Sequence, residues 1–164
     1  MAKAAPRTVS QVPKPVRPSI KAIIVRDAHL LVIANRSAAG ETFYILPGGG
    51  QEPLEDAPQA LQRECLEEIG VNVRIGALLY VREYIAKNHE FSAENPLFHG
   101  LELMFECSLE DGLEPQIGSV PDEWQTGVAW LPLEQLPELP LYPQALRGLL
   151  ARGGRSRVYV GDVN

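Results

Sequence analysis

Three glutamates, Glu64, Glu67 and Glu68, stand three and four residues apart in a stretch that reads as a helix from about Ala57 to Ile69. At 3.6 residues per turn that spacing puts three carboxylates on one helix face. Leu61, Cys65 and Ile69 form an apolar stripe on the opposite face, which would dock on a sheet and stop the acids from turning away from one another. Like charges that close repel, so something positive should sit among them. Mg2+ suits the task, because it takes carboxylate and phosphate oxygens in near-octahedral geometry. Upstream, Pro47-Gly48-Gly49-Gly50 ends a strand and lets backbone approach the same point, with the Gly48 carbonyl as a candidate further oxygen ligand. The competing reading is a solvated helix face with Arg63 as a surface partner.

The elements that must position these groups follow from residue pattern. Strands are expected at Ile20 to Val25, at Leu30 to Ala34 after the turn-like Asp27, and at Phe43 to Leu46. More are expected at Val71 to Ile75, Leu78 to Ile85, Leu101 to Cys107 and Gly127 to Leu131, where β-branched and aromatic residues are common. The polar stretch Ala86 to His99 is long enough for a lid or binding loop. A short helical start at Pro132 to Leu136 precedes a second helix from about Pro143 to Arg152, stopped by Gly153-Gly154. Strands interleaved with two principal helices, without an internal repeat, predict an α/β sandwich with a mixed β-sheet.

The 164 residues, 45% hydrophobic and 22% charged, suit one domain with a full core. Residues 1–18 combine Pro6, Pro13, Pro15 and Pro18 with Lys3, Arg7, Lys14 and Arg17 and no acid, and read as a mobile basic Pro-rich tail before a domain at 19–164. Those prolines argue against the amphipathic helix of a transit peptide. The net charge of −6 opposes general binding to nucleic acid or an anionic membrane, so a polyanionic substrate needs a metal or local basic groups. Cys65 and Cys107 lie among apolar neighbours and read as two buried thiols rather than a disulfide or zinc site. With no apolar run of membrane-spanning length and no secretory signal pattern, a cytoplasmic location is expected.

The wider spacing resembles the box of the Nudix hydrolase family, G-x5-E-x7-R-E-U-x-E-E-x-G-U with U a bulky aliphatic. Gly49, Glu55, Arg63, Glu64, Glu67, Glu68, Gly70 and Val71 match it, and Cys65 departs by standing at an aliphatic position. The resemblance implies an α/β/α sandwich and hydrolysis of a nucleoside diphosphate linked to another moiety, with Mg2+, or Mn2+ as the alternative, between acids and phosphates. It assigns Glu64, Glu67 and Glu68 to metal binding and, with Arg63, to catalysis. Arg63 would orient the acids and Glu55 would hold the loop. The general base stays open between Glu68 and an acid outside the box.

Glu102, Glu106, Asp122 and Glu123 are the candidates for that further acid, with Glu102 and Glu123 ranked first as metal ligands against the alternative of a solvated face. Arg82, Tyr84, Lys87, Asn88, His89 and Phe91 surround the long loop, and Arg82, Tyr84 and His89 are the candidates for substrate contacts. Trp124 and Trp130 read as packing residues before base-stacking platforms, and Arg152, Arg155 and Arg157 as a solvated basic tail. The proline that marks ADP-ribose hydrolases of the family is replaced by Lys87, and Tyr84 falls too early for the dinucleoside polyphosphate pattern. Nucleoside triphosphates, (d)NTPs, are favoured by elimination, with ADP-ribose, dinucleoside polyphosphates and nucleotide sugars as alternatives. The expected partner is a small nucleotide, with no nucleic acid and no membrane; a homodimer stays open. A nucleotide sensor without turnover would be marked by a lost box glutamate, and an RNA-decapping enzyme would need a basic groove.

Overall fold

The computed structural model describes residues 14–90, 95–151 and 157–164. Its strands are β1 (Arg17–Arg26), β2 (His29–Arg36), β3 (Thr42–Ile45), β4 (Val73–Ile85), β5 (His99–Leu109), β6 (Gln125–Pro132), β7 (Leu141–Tyr142) and β8 (Tyr159–Asp162), with helices α1 (Ala57–Ile69) and α2 (Ala145–Ala151). The strands run in the order β7-β3-β2-β1-β5-β4-β8, with β6 on β2. Directions are mixed, since β1/β5, β3/β7 and β4/β8 are parallel and the other pairs antiparallel.

β1 and β2 pair at Val25↔Leu30 and Arg26↔His29. Asp27 (φ 50°) and Ala28 (φ 58°) make the tight turn between them, and Asp, tolerant of positive φ, stands at its first position. Away from that turn the strands part, and the glycine loop fills the opening: Ala22 N–H donates to Pro47 O and Ile20 N–H to Gly49 O, each at 2.9 Å. The loop is thereby laced to the central strand as a partner strand would be.

Helices cover both faces of the sheet. On one side Ile20, Ala22 and Ile24 of β1 and Leu31 and Ile33 of β2 pack against Leu61, Cys65 and Ile69 of α1. On the other, Ile23, Leu30, Val32 and Met104 pack against Leu136, Leu141 and Leu146. Burial on both faces explains why β2 reads Leu-Leu-Val-Ile without polar alternation. The result is the α/β/α sandwich with a mixed sheet that the sequence predicts.

Several boundaries differ from expectation. β1 begins at Arg17 because Arg17 and Pro18 pair with Gly100 and Leu101, so the last two residues of the expected tail belong to the sheet. Val71 to Ile75 and Leu78 to Ile85 are one strand, β4, interrupted against β5 by register shifts between Ile75 and Tyr80. Leu133–Glu138 forms a 3-10 helix with Pro137 inside it. Residues 1–13 of the tail, Phe91 of the long loop, and Arg152, Gly153, Gly154 and Arg155 at the second helix end lie outside the described residues. Among the described residues no helix is long and apolar enough to cross a membrane.

Candidate active site

α1 is placed by local chemistry at both ends. Asp56 caps it through a reciprocal pair: Gln59 N–H donates to Asp56 Oδ1 at 2.9 Å, and Asp56 N–H to Gln59 Oε1 at 2.8 Å. Gly70 ends it at φ 70°, ψ 10°, a left-handed conformation that glycine takes without steric penalty. The start of β4 is tied to α1 by Gln62, which accepts from Val73 N–H at 3.2 Å and donates to Val73 O.

The three glutamates are not equivalent. Glu68 is 3% exposed, whereas the side chains of Glu64 and Glu67 are 15% and 34% exposed. Glu68 follows Cys65 by three residues and Leu61 by seven, so it borders the apolar stripe rather than a solvated face. Gly48 N–H donates to Glu68 Oε2 at 2.7 Å. Burial pushes the Glu68 carboxyl up to about 7, with Asp122 and Glu64 adding like charge, while Lys21 and the Gly48 hydrogen bond pull the other way. Gly48 sits at φ 115°, and a Cβ there would meet Ile20 O at 2.2 Å, so the close approach requires glycine.

Arg63 ties the remaining acids together. Its guanidinium reaches Glu55 at 2.7 and 3.2 Å, Glu64 at 2.9 Å and Glu67 at 3.4 Å, and donates to Gly50 O at 3.0 Å. The Glu55 hydrogen bond is the main influence raising Arg63 further above its ordinary value, and the same bond holds Glu55 below the usual carboxylate range. Glu55 also accepts from Glu52 N–H at 2.6 Å, which closes the loop ahead of α1.

Among the described residues no three acidic, histidine or cysteine side chains converge into a ready-made metal cage. Arg63 draws off Glu55, Glu64 and Glu67, and Gly48 N–H holds Glu68. The donor chemistry still fits Mg2+, which binds through one or two carboxylates and completes its shell with water and substrate phosphates. Glu64, Glu67, Glu68 and the Gly48 carbonyl are hard oxygen donors of that kind.

The residues nominated outside the helix fall into different places. Glu102 lies opposite Arg82 in the β4/β5 pair, and Arg82 Nε donates to its Oε2 at 2.6 Å. Burial alone would raise the Glu102 carboxyl, but Arg82 and Lys21 hold it below the usual range. Glu123 is exposed ahead of β6, and it is its neighbour Asp122 whose charge reaches Glu68. Glu106 lines a groove with Cys107 and Arg74.

Arg82 and Tyr84 line a cleft of about 790 Å³, with Phe43, Phe98, Trp124 and Tyr142 among its walls. Arg82 is 7% exposed, lies 5.4 Å from the Tyr84 ring centroid and donates to Val163 O at 2.5 Å. His89 stacks on Tyr84 with ring centroids 5.0 Å apart and turns Nε2 to Asp162, 2.7 Å away. Asn88 also donates to Asp162, at 2.6 Å, while Lys87 is exposed. Trp124, expected as packing, is 48% exposed on the cleft. Trp130 packs against the core beneath Arg26, 4.5 Å from its ring centroid. Cys65 and Cys107 are buried free thiols. Lys21, whose ammonium donates to Gly48 O, and Gln125, which donates to Glu68 O at 2.8 Å, were not legible in the sequence, because both contacts span distant parts of the chain.

Carboxylates of one helix set beside a glycine loop laced to the central strand are the equipment of a hydrolase acting on phosphorus-containing anhydrides. The chain belongs to the Nudix family: the family model described as the NUDIX domain matches residues 15–152. It is 29% identical over 147 residues to an RNA pyrophosphohydrolase of Teredinibacter turnerae, covering 82% of this chain and 85% of the relative. It is 31% identical over 140 residues to the NAD-capped RNA hydrolase NudC of Deinococcus radiodurans, covering 82% of this chain but 44% of that protein, so the chain spans less than half of its length. The crystal structure of a MutT NUDIX hydrolase from Burkholderia pseudomallei superposes with a TM-score of 0.65 at 29% identity, over 84% of this chain and 97% of that one.

Proposed function

We propose that the chain is a Mg2+-dependent pyrophosphohydrolase that opens a phosphoanhydride in a nucleoside diphosphate-linked substrate, with (d)NTPs as the leading class. The observation that carries the reading is Glu68, buried and hydrogen-bonded to Gly48 on the helix that also carries Glu64 and Glu67. Glu64, Glu67, Glu68 and the Gly48 carbonyl would hold Mg2+, or Mn2+ in its place. The ion, when bound, supplies neutralisation of phosphate charge and a more acidic water. Glu68 is the acid best suited to take the proton of the attacking water as its oxygen bonds to phosphorus and the bridging P–O bond breaks. Arg63 keeps Glu64 and Glu67 directed at the loop. Glu102 is assigned to holding Arg82 rather than to the metal, and exposed Glu123 to neither.

The aromatic cleft supports a nucleoside in this substrate: Trp124 offers an exposed ring, and Tyr84, stacked on by His89 and flanked by Arg82, lines the same cleft. A second reading, hydrolysis at the 5′ end of an RNA, is favoured by the names of the curated relatives. The net charge of −6 opposes it, since backbone phosphates bind through lysine and arginine.

A panel of NTPs, dNTPs, ADP-ribose, NAD, dinucleoside polyphosphates and nucleotide sugars, assayed with Mg2+ and with Mn2+ beside a 5′-triphosphate RNA, tests the reading by product identity. Nucleoside monophosphate and pyrophosphate from an NTP or dNTP is the expected result. Turnover of the RNA alone transfers the assignment to the second reading, and no turnover of any substrate contradicts both.

A further inference from the structure

Three successive carbonyls of the glycine loop are captured by three successive residues of β1. Ala22 and Ile20 take Pro47 O and Gly49 O through the backbone, and between them the Lys21 ammonium takes Gly48 O. Gly48 is therefore held from both ends, its N–H by Glu68 and its carbonyl by Lys21. Lys21 is half-buried, so its charge is not simply dissipated into solvent. An ammonium and a divalent cation are alternative ways of relieving the same carboxylate repulsion, and here the ammonium also takes the loop carbonyl suited to a metal.

We propose that Lys21 is a positioning residue that acts as a resident counter-ion: its ammonium holds the carbonyl of Gly48, the residue whose N–H is bound to Glu68, and lowers the site's affinity for a free divalent cation. The proposal rests on the metal-site reading above and deepens it. Its consequence is that the loop is held formed without metal, and that metal binding leans on the phosphates a substrate brings.

The test is Mn2+ binding to the full chain without nucleotide, followed by electron paramagnetic resonance, for wild type, Lys21→Met, Lys21→Gln and Lys21→Arg. Thermal melts establish which variants fold. The neutral Met and Gln variants should bind Mn2+ about threefold to thirtyfold more tightly, the range a single displaced charge commands at partly buried sites. The Arg variant should stay within about twofold of wild type. A residue that merely braced the loop would, on removal, weaken binding or leave it unchanged, and either result in a folded neutral variant overturns the proposal. Should Lys21→Met fail to fold, Lys21→Gln, which retains a polar end for the carbonyl, carries the comparison. Mn2+ bound by neither wild type nor any variant overturns the metal-site reading as well; wild-type binding with unshifted neutral variants overturns the Lys21 proposal alone.

Discussion

Charge at this site is distributed by individual contacts rather than by helix periodicity alone. Spacing put Glu64, Glu67 and Glu68 together and set Glu68 beside the apolar stripe, but their different partners, Gly48 for Glu68 and Arg63 for Glu64 and Glu67, are contacts that periodicity does not register. Asp162 shows the same dependence on distant partners. Against a burial effect that would raise it, hydrogen bonds from Asn88, Ile85 N–H and His89 hold its carboxyl at about 2, below an ordinary 3.8. A depressed carboxyl adds stability that is complete above about 3.8 and disappears as pH falls toward about 2. Asp162→Asn should therefore melt below wild type at pH 6, with the gap closing as pH falls through that window. A gap that stays constant from pH 6 to pH 2 would show that the ionised carboxyl contributes nothing. Arg82, Tyr84 and His89 were legible as a group by their crowding near one loop. Their division of labour was not, because the groups that claim Arg82 and His89 come from distant parts of the chain: Glu102 from β5, Asp162 from β8 and Val163 from just beyond it.

Among the elements, α1 was the most legible, and its bounds match expectation because Asp56, Gln59 and Gly70 set them through contacts within a few residues. Removing the cap in Asp56→Ala should cost about 1 kcal/mol, measured by urea unfolding. A stability equal to wild type would mean that packing on β1 alone fixes the helix start. The short strands β7 and β8 were not legible, since two residues, Leu141–Tyr142, and four, Tyr159–Asp162, become strands by pairing with β3 and β4. The merged β4 has a similar cause: Gly76 and Ala77 break the apolar pattern, but the partner β5 runs on unbroken and carries the strand across.

For the whole molecule, the parting of β1 from β2 matters most, because it admits the glycine loop to the central strand and brings Gly48 to Glu68. The cleft is likewise a product of assembly, with walls from β3, β4, the approach to β6 and Asn164. If it takes the nucleoside, Trp124→Ala should raise KM about threefold to tenfold and leave kcat within about twofold, since a stacking contact made equally in ground and transition states affects binding alone. An unchanged KM would remove Trp124 from the substrate site. If the α1 glutamates, with Glu68 foremost, carry hydrolysis as proposed, Glu68→Gln should remove most of it while sparing the fold. With Mg2+ and the best substrate of the panel at neutral pH, kcat should fall at least about 100-fold below wild type in a variant whose melt shows it folded. A folded Glu68→Gln protein turning over at the wild-type rate would contradict it.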